Sequence, residues 1–251
     1  MAQRIGILCH VTSLPNGLKD AEMFVDYITN YGASAWQILP ITPPDEHGSP
    51  YASPSAFAAW DSLGQSKSEN MDTESYWLKD WLLFESLKSK FDDKPWHKWP
   101  KKYRDRDPDA LAGIVVDETA QARFMGRWKE IRDYANSKNV SLIGDLPIFV
   151  GHDSADVWAH RELFLLDDRG MPQVVAGVPP DYFSKKGQRW GTVLYDWDAH
   201  RKENWRWWKE RMARMMRLFD IVRIDHFRGI HSAWAIPVKH KTARKGKWLD
   251  G

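Results

Sequence analysis

Three features of the sequence predict an α/β fold built on a parallel sheet. Four short apolar segments end in polar residues, IGILCHVTSLP from Ile5, AWQILPI from Ala35, SLIGDLPIFV from Ser141 and FDIVRID from Phe219. Text with helical spacing separates them, and strand, helix, strand repeats imply a parallel sheet with right-handed crossovers. The segment ends carry the polar groups: in a closed β/α barrel chemistry gathers at the strand C-termini, which here bear His10, Ser13, Asp145 and Asp225.

In chain order, the first strand runs straight from the N-terminus and includes Cys9, the single cysteine. One cysteine excludes an internal disulfide and suits a reducing compartment, and its apolar neighbours favour a buried structural thiol over a nucleophile. The start has no run long enough for a signal or a membrane span, so a cytoplasmic protein is expected. The first helix, AEMFVDYITNYG, shows apolar residues at Met23, Phe24, Tyr27, Ile28 and Tyr31 and ends at Gly32 as a C-cap. After the second strand, GSPYASPSAF (Gly48 to Phe57) brings Ser49 and Tyr51 to a small-residue loop, which is either ligand-facing or an ordinary turn-rich connection. An excursion of about 80 residues then precedes the third strand, far above ordinary connections. Its text from Asp72 to Phe91 and the cluster KPWHKWPKKYRDRDPDAL predict a helical insert. Thr119 to Asn139 repeats helical spacing through Phe124, Trp128, Ile131 and Tyr134, and ENWRWWKERMARMMRLF leads into the fourth strand.

The balance of 36 Lys+Arg against 34 Asp+Glu leaves a net charge of +2 with scattered basic residues, which argues against nucleic acid and for a neutral ligand. Tryptophan is unusually abundant, at 15 residues. Indole faces cover sugar rings well, yet most should pack helices, with about one in four left for a ligand. No HExxH or CxxC spacing, no GxGxxG or GxxxxGKS and no GxSxG elbow occurs, so no metal or cofactor is expected.

FDIVRIDHFRG is the most informative stretch. On a strand Arg223 and Asp225 share one face and Val222 and Ile224 the other, which sets a cation beside a potential nucleophile, with His226 and Arg228 as further donors. Asp145 in GDLPIFV is a second inward carboxylate, the alternative being a cap on the following backbone. PPDYFSKKGQRWG (Pro179 to Gly191) reads as a long loop with a stacking platform at Trp190, or as a structural loop. By elimination, a strand-end carboxylate with an arginine neighbour and aromatic loops points to glycosyl chemistry, in which one carboxylate attacks the anomeric carbon and an acid protonates the leaving oxygen.

The runs GILCHVTSLP, AWQILPI, SPYASPSAFA, WLLFESLKSKF with PWHKWP, LIGDLPIFV with DSADVWAH, PPDYFSKKGQRWG and FDIVRIDHFRG together resemble the 4-α-glucanotransferases (amylomaltases or disproportionating enzymes) of glycoside hydrolase family 77, in family order over nearly the whole chain. The resemblance implies the first half of a (β/α)8 barrel of the TIM type with a helical insertion between strands 2 and 3: residues 1–60 hold strands 1 and 2 with a substrate loop, 61–118 the insertion, and 119–251 strands 3 and 4 with an active-site loop and the nucleophile. It implies transfer of α-1,4-glucan segments between malto-oligosaccharides through a covalent glucosyl-aspartate. Asp225 matches the nucleophile and Arg223 its support. Ser49, Tyr51, Asp145 and His226 match the sugar-binding surface, and Asp181, Tyr182, Phe183 and Trp190 a loop that covers the site. The family's acid/base glutamate and a further aspartate fall past Gly251, so the chain is expected to be a truncated piece or one half of a split enzyme, partnered by a C-terminal half, with KTARKGKWLDG as a linker to the next helix. Two departures are Val11, where the family often has proline, and Glu46 with His47, which replace a glycine and aromatic pattern. A hydrolytic α-glucosidase or amylase-like enzyme and a non-catalytic glucan-binding fragment are the competing functions.

Overall fold

A computed structural model describes residues 5–67, 69 and 76–251. The elements in chain order are β1 (Gly6–Leu8), α1 (Ala21–Asn30), β2 (Ala35–Gln37), α2 (Leu78–Lys90), α3 (Lys101–Arg104), α4 (Pro108–Ala112), α5 (Thr119–Ser137), β3 (Ser141–Pro147), α6 (Ala155–Ala159), β4 (Val174–Val178), β5 (Gln188–Arg189), α7 (Trp197–Lys202), α8 (Arg206–Leu218), β6 (Ile221–Asp225), α9 (Arg228–His231), β7 (Ser232–Pro237) and β8 (Lys247–Asp250). The four strands read from the sequence form one sheet in the order β1-β2-β3-β6, parallel throughout. The helical text between β2 and β3 yields α2, α3 and α4; the predicted start of its first helix, residues 72–75, lies outside the described residues.

Burial of apolar faces explains the layering. Val25 and Ile28 of α1, Phe124, Trp128 and Ile131 of α5, and Met215 and Leu218 of α8 close over Trp36, Leu142 and Leu146 of the sheet. A second, aromatic-rich core joins Trp81, Phe84 and Leu87 of α2 to Trp96, Trp99, Trp158, Phe149, Tyr195 and Trp207. Gly144 fixes how close α8 and its exit come to β3, because a Cβ there would lie 2.2 Å from the Phe219 ring. The carboxylate of Asp220 pins β6 to β3 by accepting from the Leu142 N–H at 2.8 Å.

The structure departs from the sequence reading in several places. Along α1 the buried stripe is Ala21, Val25 and Ile28, whereas Met23, Tyr27 and Tyr31, part of the expected apolar face, are exposed. Both stripes have helical spacing, and nothing local says which one meets the sheet. Gly32 does end the helix: at φ 79° its N–H reaches the Thr29 carbonyl, while that of Ala33 reaches Ile28. A second, antiparallel sheet of order β5-β4-β7-β8 was not anticipated. Its strands lie in the stretch read as a loop (β5) and in the stretch read as a basic linker (β8), where Trp248 pairs with Trp234. Cys9 is half-buried rather than fully buried, and burial pushes its thiol up. Among the described residues no helix is long and apolar enough to cross a membrane.

The outer strands of the parallel sheet are thinly covered. Ile7 and Leu8 point to opposite faces of β1 and both are exposed, as is Ile221 at the start of β6. Among the described residues neither β1 nor β6 has a strand on its outer side.

Candidate active site

The site grows from the contact between β3 and β6. Their register sets Asp145 beside Arg223 and Pro147 beside Asp225. Because side chains alternate along a strand, Arg223 and Asp225 emerge together on the Asp145 side, while Val222 and Ile224 join the core. The Arg223 guanidinium then spans both carboxylates: Nη1 donates to Asp145 Oδ1 at 2.5 Å and Nη2 to Asp225 Oδ1 at 2.7 Å. The second Asp145 oxygen accepts from the Tyr51 hydroxyl at 2.7 Å. Asp145 therefore pairs side chain to side chain and does not cap the following backbone.

Exposure grades along this series. The Asp145 side chain is 1% exposed, whereas those of Asp225 and Arg223 are 35% and 46% exposed. The arm toward Asp225 is screened by solvent and contributes little to stability, about 0–1 kcal/mol. The arm toward Asp145 matters more, since removing its cation would strand a buried carboxylate. Hydrogen bonds to Asp145 and Asp225 raise the Arg223 pKa. Burial, and then the bond to Asp145, raises that of Tyr51, which keeps its phenol a donor.

The loop that delivers Tyr51 is locally built. The Asp45 carboxylate accepts from the N–H groups of His47 and Ser49, and the Ser49 hydroxyl caps the 3-10 turn Pro50–Ala52 by accepting from the Tyr51 N–H at 3.3 Å. Gly151 allows this loop to lie against the exit of β3, as a Cβ there would stand 2.7 Å from the Ala52 carbonyl oxygen.

Above these groups opens a cleft of about 460 Å³. Ser49, Tyr51 and Ala52 form one wall, Pro147, Ile148 and Phe149 the floor, Gln188, Trp190 and Thr192 the far wall, and Asp225 and His226 the end, with Asp45 and His47 at the rim. The volume suits an oligosaccharide segment. His226 has φ 50°, a left-handed conformation rare outside glycine and costing on the order of 1–3 kcal/mol. Its ring is held edge-on to Trp190, centroids 4.8 Å apart, and burial lowers its pKa, so the imidazole is neutral at pH 7. The Trp190 indole N–H donates to Gln188 Oε1 at 3.0 Å.

Of the residues singled out from sequence, Ser49, Tyr51, Trp190, Asp225 and His226 line the cleft, with Asp145 and Arg223 directly behind. Asp181, Tyr182 and Phe183 do not. Tyr182 and Phe183 are 94% and 93% exposed and pack on each other, while Asp181 ties its own turn by accepting from the N–H groups of Phe183 and Ser184. Among the described residues Trp190 is the one tryptophan of the 15 at this cleft, fewer than the expected quarter; Trp36, Trp96, Trp128, Trp158 and Trp207 are fully buried. Phe149, Gln188 and Thr192 were missed. Gln188 stands two residues before Trp190, a same-face spacing visible only once that stretch is read as a strand. Among the described residues no group of three or more His, Cys, Asp or Glu is placed to hold a metal ion.

Comparison with known proteins identifies relatives over nearly the whole chain. A family model described as 4-alpha-glucanotransferase (Glyco_hydro_77) matches residues 9–68 and 61–251. The 4-alpha-glucanotransferase of Thermus thermophilus is 35% identical over 99% of this chain and 63% of its own length, and that of Aquifex aeolicus 34% over 97% and 63%. The chloroplastic/amyloplastic 4-alpha-glucanotransferase DPE1 of Arabidopsis thaliana is 34% identical over 99% of this chain and 55% of its own. Among solved structures, the amylomaltase of Streptococcus agalactiae in complex with acarbose superposes with a TM-score of 0.87 at 30% identity, over 99% of this chain and 64% of that one. The amylomaltase of Corynebacterium glutamicum, at TM-score 0.74 and 13% identity, shares the fold. The chain thus spans less than two thirds of the length of these relatives.

Proposed function

The chain belongs to the 4-α-glucanotransferase family, glycoside hydrolase family 77, and from that premise we propose that it carries the nucleophile half of an enzyme that moves α-1,4-glucan segments between malto-oligosaccharides. One observation carries the reading: Arg223 bridges buried Asp145 and cleft-facing Asp225. In the first step an Asp225 oxygen bonds to the anomeric carbon, the glycosidic C–O bond breaks, and the leaving 4-oxygen takes a proton from an acid. In the second, the 4-hydroxyl of an acceptor glucan displaces Asp225 and gives its proton to the same group, now a base. Two inversions return the α configuration.

Each residue has a task in this scheme. Arg223 holds Asp225 by one oxygen and leaves the other for attack. Tyr51, Ser49 and His226 grip the sugar at the scissile bond, Asp145 helps hold it by fixing Tyr51 and Arg223 from behind, and Trp190 offers an aromatic face to the next ring. Asp181, Tyr182 and Phe183, now away from the cleft, belong to a loop that closes over substrate and keeps water from the ester. We place the acid, and a further aspartate, on a C-terminal half that completes a (β/α)8 barrel by pairing with β1 and β6; the bare outer sides of those strands support this. Residues 61–118 form the insertion on that barrel, and the single cysteine fits a cytoplasmic setting.

The test uses α-maltosyl fluoride, whose leaving fluoride needs no acid. The wild-type chain should release fluoride and gain the mass of a maltosyl ester on Asp225, and Asp225→Asn should lower release by at least roughly 10³-fold while acarbose still binds by calorimetry. Equal release from both proteins would sink the nucleophile reading. Binding of acarbose with no release from either would favour a glucan-binding fragment. With the C-terminal half supplied, a ladder of longer glucans from maltotriose marks a transferase, and net reducing ends mark a hydrolase.

A further inference from the structure

Arg211 on α8 is 2% exposed, and among the described residues no carboxylate accepts a hydrogen bond from its guanidinium, although buried Asp156 interacts with its charge. Nη2 donates to the Pro147 carbonyl at 2.5 Å, and Nη1 to the Ile148 carbonyl at 3.3 Å and the Tyr195 hydroxyl at 3.2 Å. Tyr195 turns its own O–H onto the same Ile148 carbonyl at 2.6 Å. The guanidinium carbon lies 5.2 and 5.3 Å from the ring centroids of Trp207 and Trp208. A buried cation used on main-chain oxygens is costly, and the oxygens it selects belong to the cleft floor.

That floor is the direct continuation of β3. Pro147 stands two residues after Asp145 and beside Asp225 in the register, and Phe149 lines the cleft. Fixing the carbonyls of Pro147 and Ile148 sets the exit angle of β3, and with it the separation of Asp145 from Asp225. A fork of parallel N–H donors does this where a single ammonium cannot.

We infer that Arg211, relayed by Tyr195, is a positioning residue of the transfer reaction: it touches no substrate and holds the floor that aligns the two carboxylates. The inference rests on the nucleophile reading of Asp225. Arg214, three residues on and also buried, is the control, since among the described residues it donates to the Phe57 carbonyl and lies over Trp77, with no hydrogen bond to the Pro147 or Ile148 carbonyl.

The test compares Arg211→Lys, Tyr195→Phe and Arg214→Lys with wild type in two readouts, fluoride release from α-maltosyl fluoride and amide hydrogen exchange in the stretch from Leu146 to Gly151. Arg211→Lys and Tyr195→Phe should speed exchange there and lower kcat by roughly ten- to a hundredfold, the range that a small misplacement of reacting groups produces, with KM little changed. Arg214→Lys should do neither. If Arg211→Lys does not fold, Tyr195→Phe decides. Unchanged exchange, wild-type kcat in the folded variants, or an equal loss in Arg214→Lys would each overturn the inference. A silent wild type would remove the nucleophile reading and the inference together, a result distinct from failure of the inference alone.

Discussion

The hydroxyl of Tyr51 and the carboxylate of Asp145 meet across 94 residues of chain, and that bond closes one end of the series that runs through Arg223 to Asp225. Replacing Tyr51 by Phe leaves one oxygen of a buried carboxylate unpaired. Tyr51→Phe should cost about 1–3 kcal/mol, read as a lower midpoint in urea unfolding at an unchanged slope; an unaltered midpoint would mean that water serves Asp145 equally well. At this scale the sequence was legible where the relation is local. Arg223 and Asp225 share a face because strands alternate, and that needs only five residues of text. The Tyr51 link, the floor residue Phe149 and the tether from Arg211 were not legible, because each depends on which distant backbone arrives alongside.

Elements show the same division. The four parallel strands, α5 and α8 could be read from the sequence: β2, β3, α5 and α8 bury apolar residues in a pattern, and β1 and β6 are short apolar runs although much of each is exposed. The antiparallel sheet could not, because β5 has two residues and β4, VVAGV, packs a glycine against its neighbour's backbone. The α1 stripe failed for a different reason: Met23, Tyr27 and Tyr31 are as apolar as the face that is buried, so the sheet and not the helix made the choice. A tight joint between elements is Gly144 under Phe219. Gly144→Ala should force β3 from α8 and destabilise by about 1–3 kcal/mol as overpacking does, and it should also slow fluoride release because Asp145 is the next residue. Crystals of a variant with Phe219 unmoved and full activity would refute this.

For the molecule as a whole, pH is an informative variable. His10, His97, His152, His200 and His226 all have pKa values lowered below the ordinary 6.5, each chiefly by burial. In the unfolded chain they regain that ordinary value, so below it the unfolded state binds protons that the folded state refuses. The histidine contribution should hold above about pH 6.5 and fall as the pH drops below it, while Glu85, whose carboxyl burial pushes up to about 7, contributes the opposite trend. Melting temperatures from pH 7.5 to 5 would show the histidine contribution, and His200→Phe, which removes a fully buried ring whose Nδ1 lies 3.4 Å from Glu203 Oε1, should reduce it. An identical pH dependence in wild type and His200→Phe would contradict the assignment. The bridge at the heart of the site has a further meaning in terms of charge balance. Tyr51 and His226 are held uncharged, so two carboxylates face one guanidinium and the empty site is one positive charge short. In the proposed transfer, a glucosyl centre that gathers positive character as its bond breaks would supply that charge, and the ester that follows would leave Asp145 and Arg223 as a matched pair. The site is out of balance when empty and in balance when loaded, which favours every state between the two.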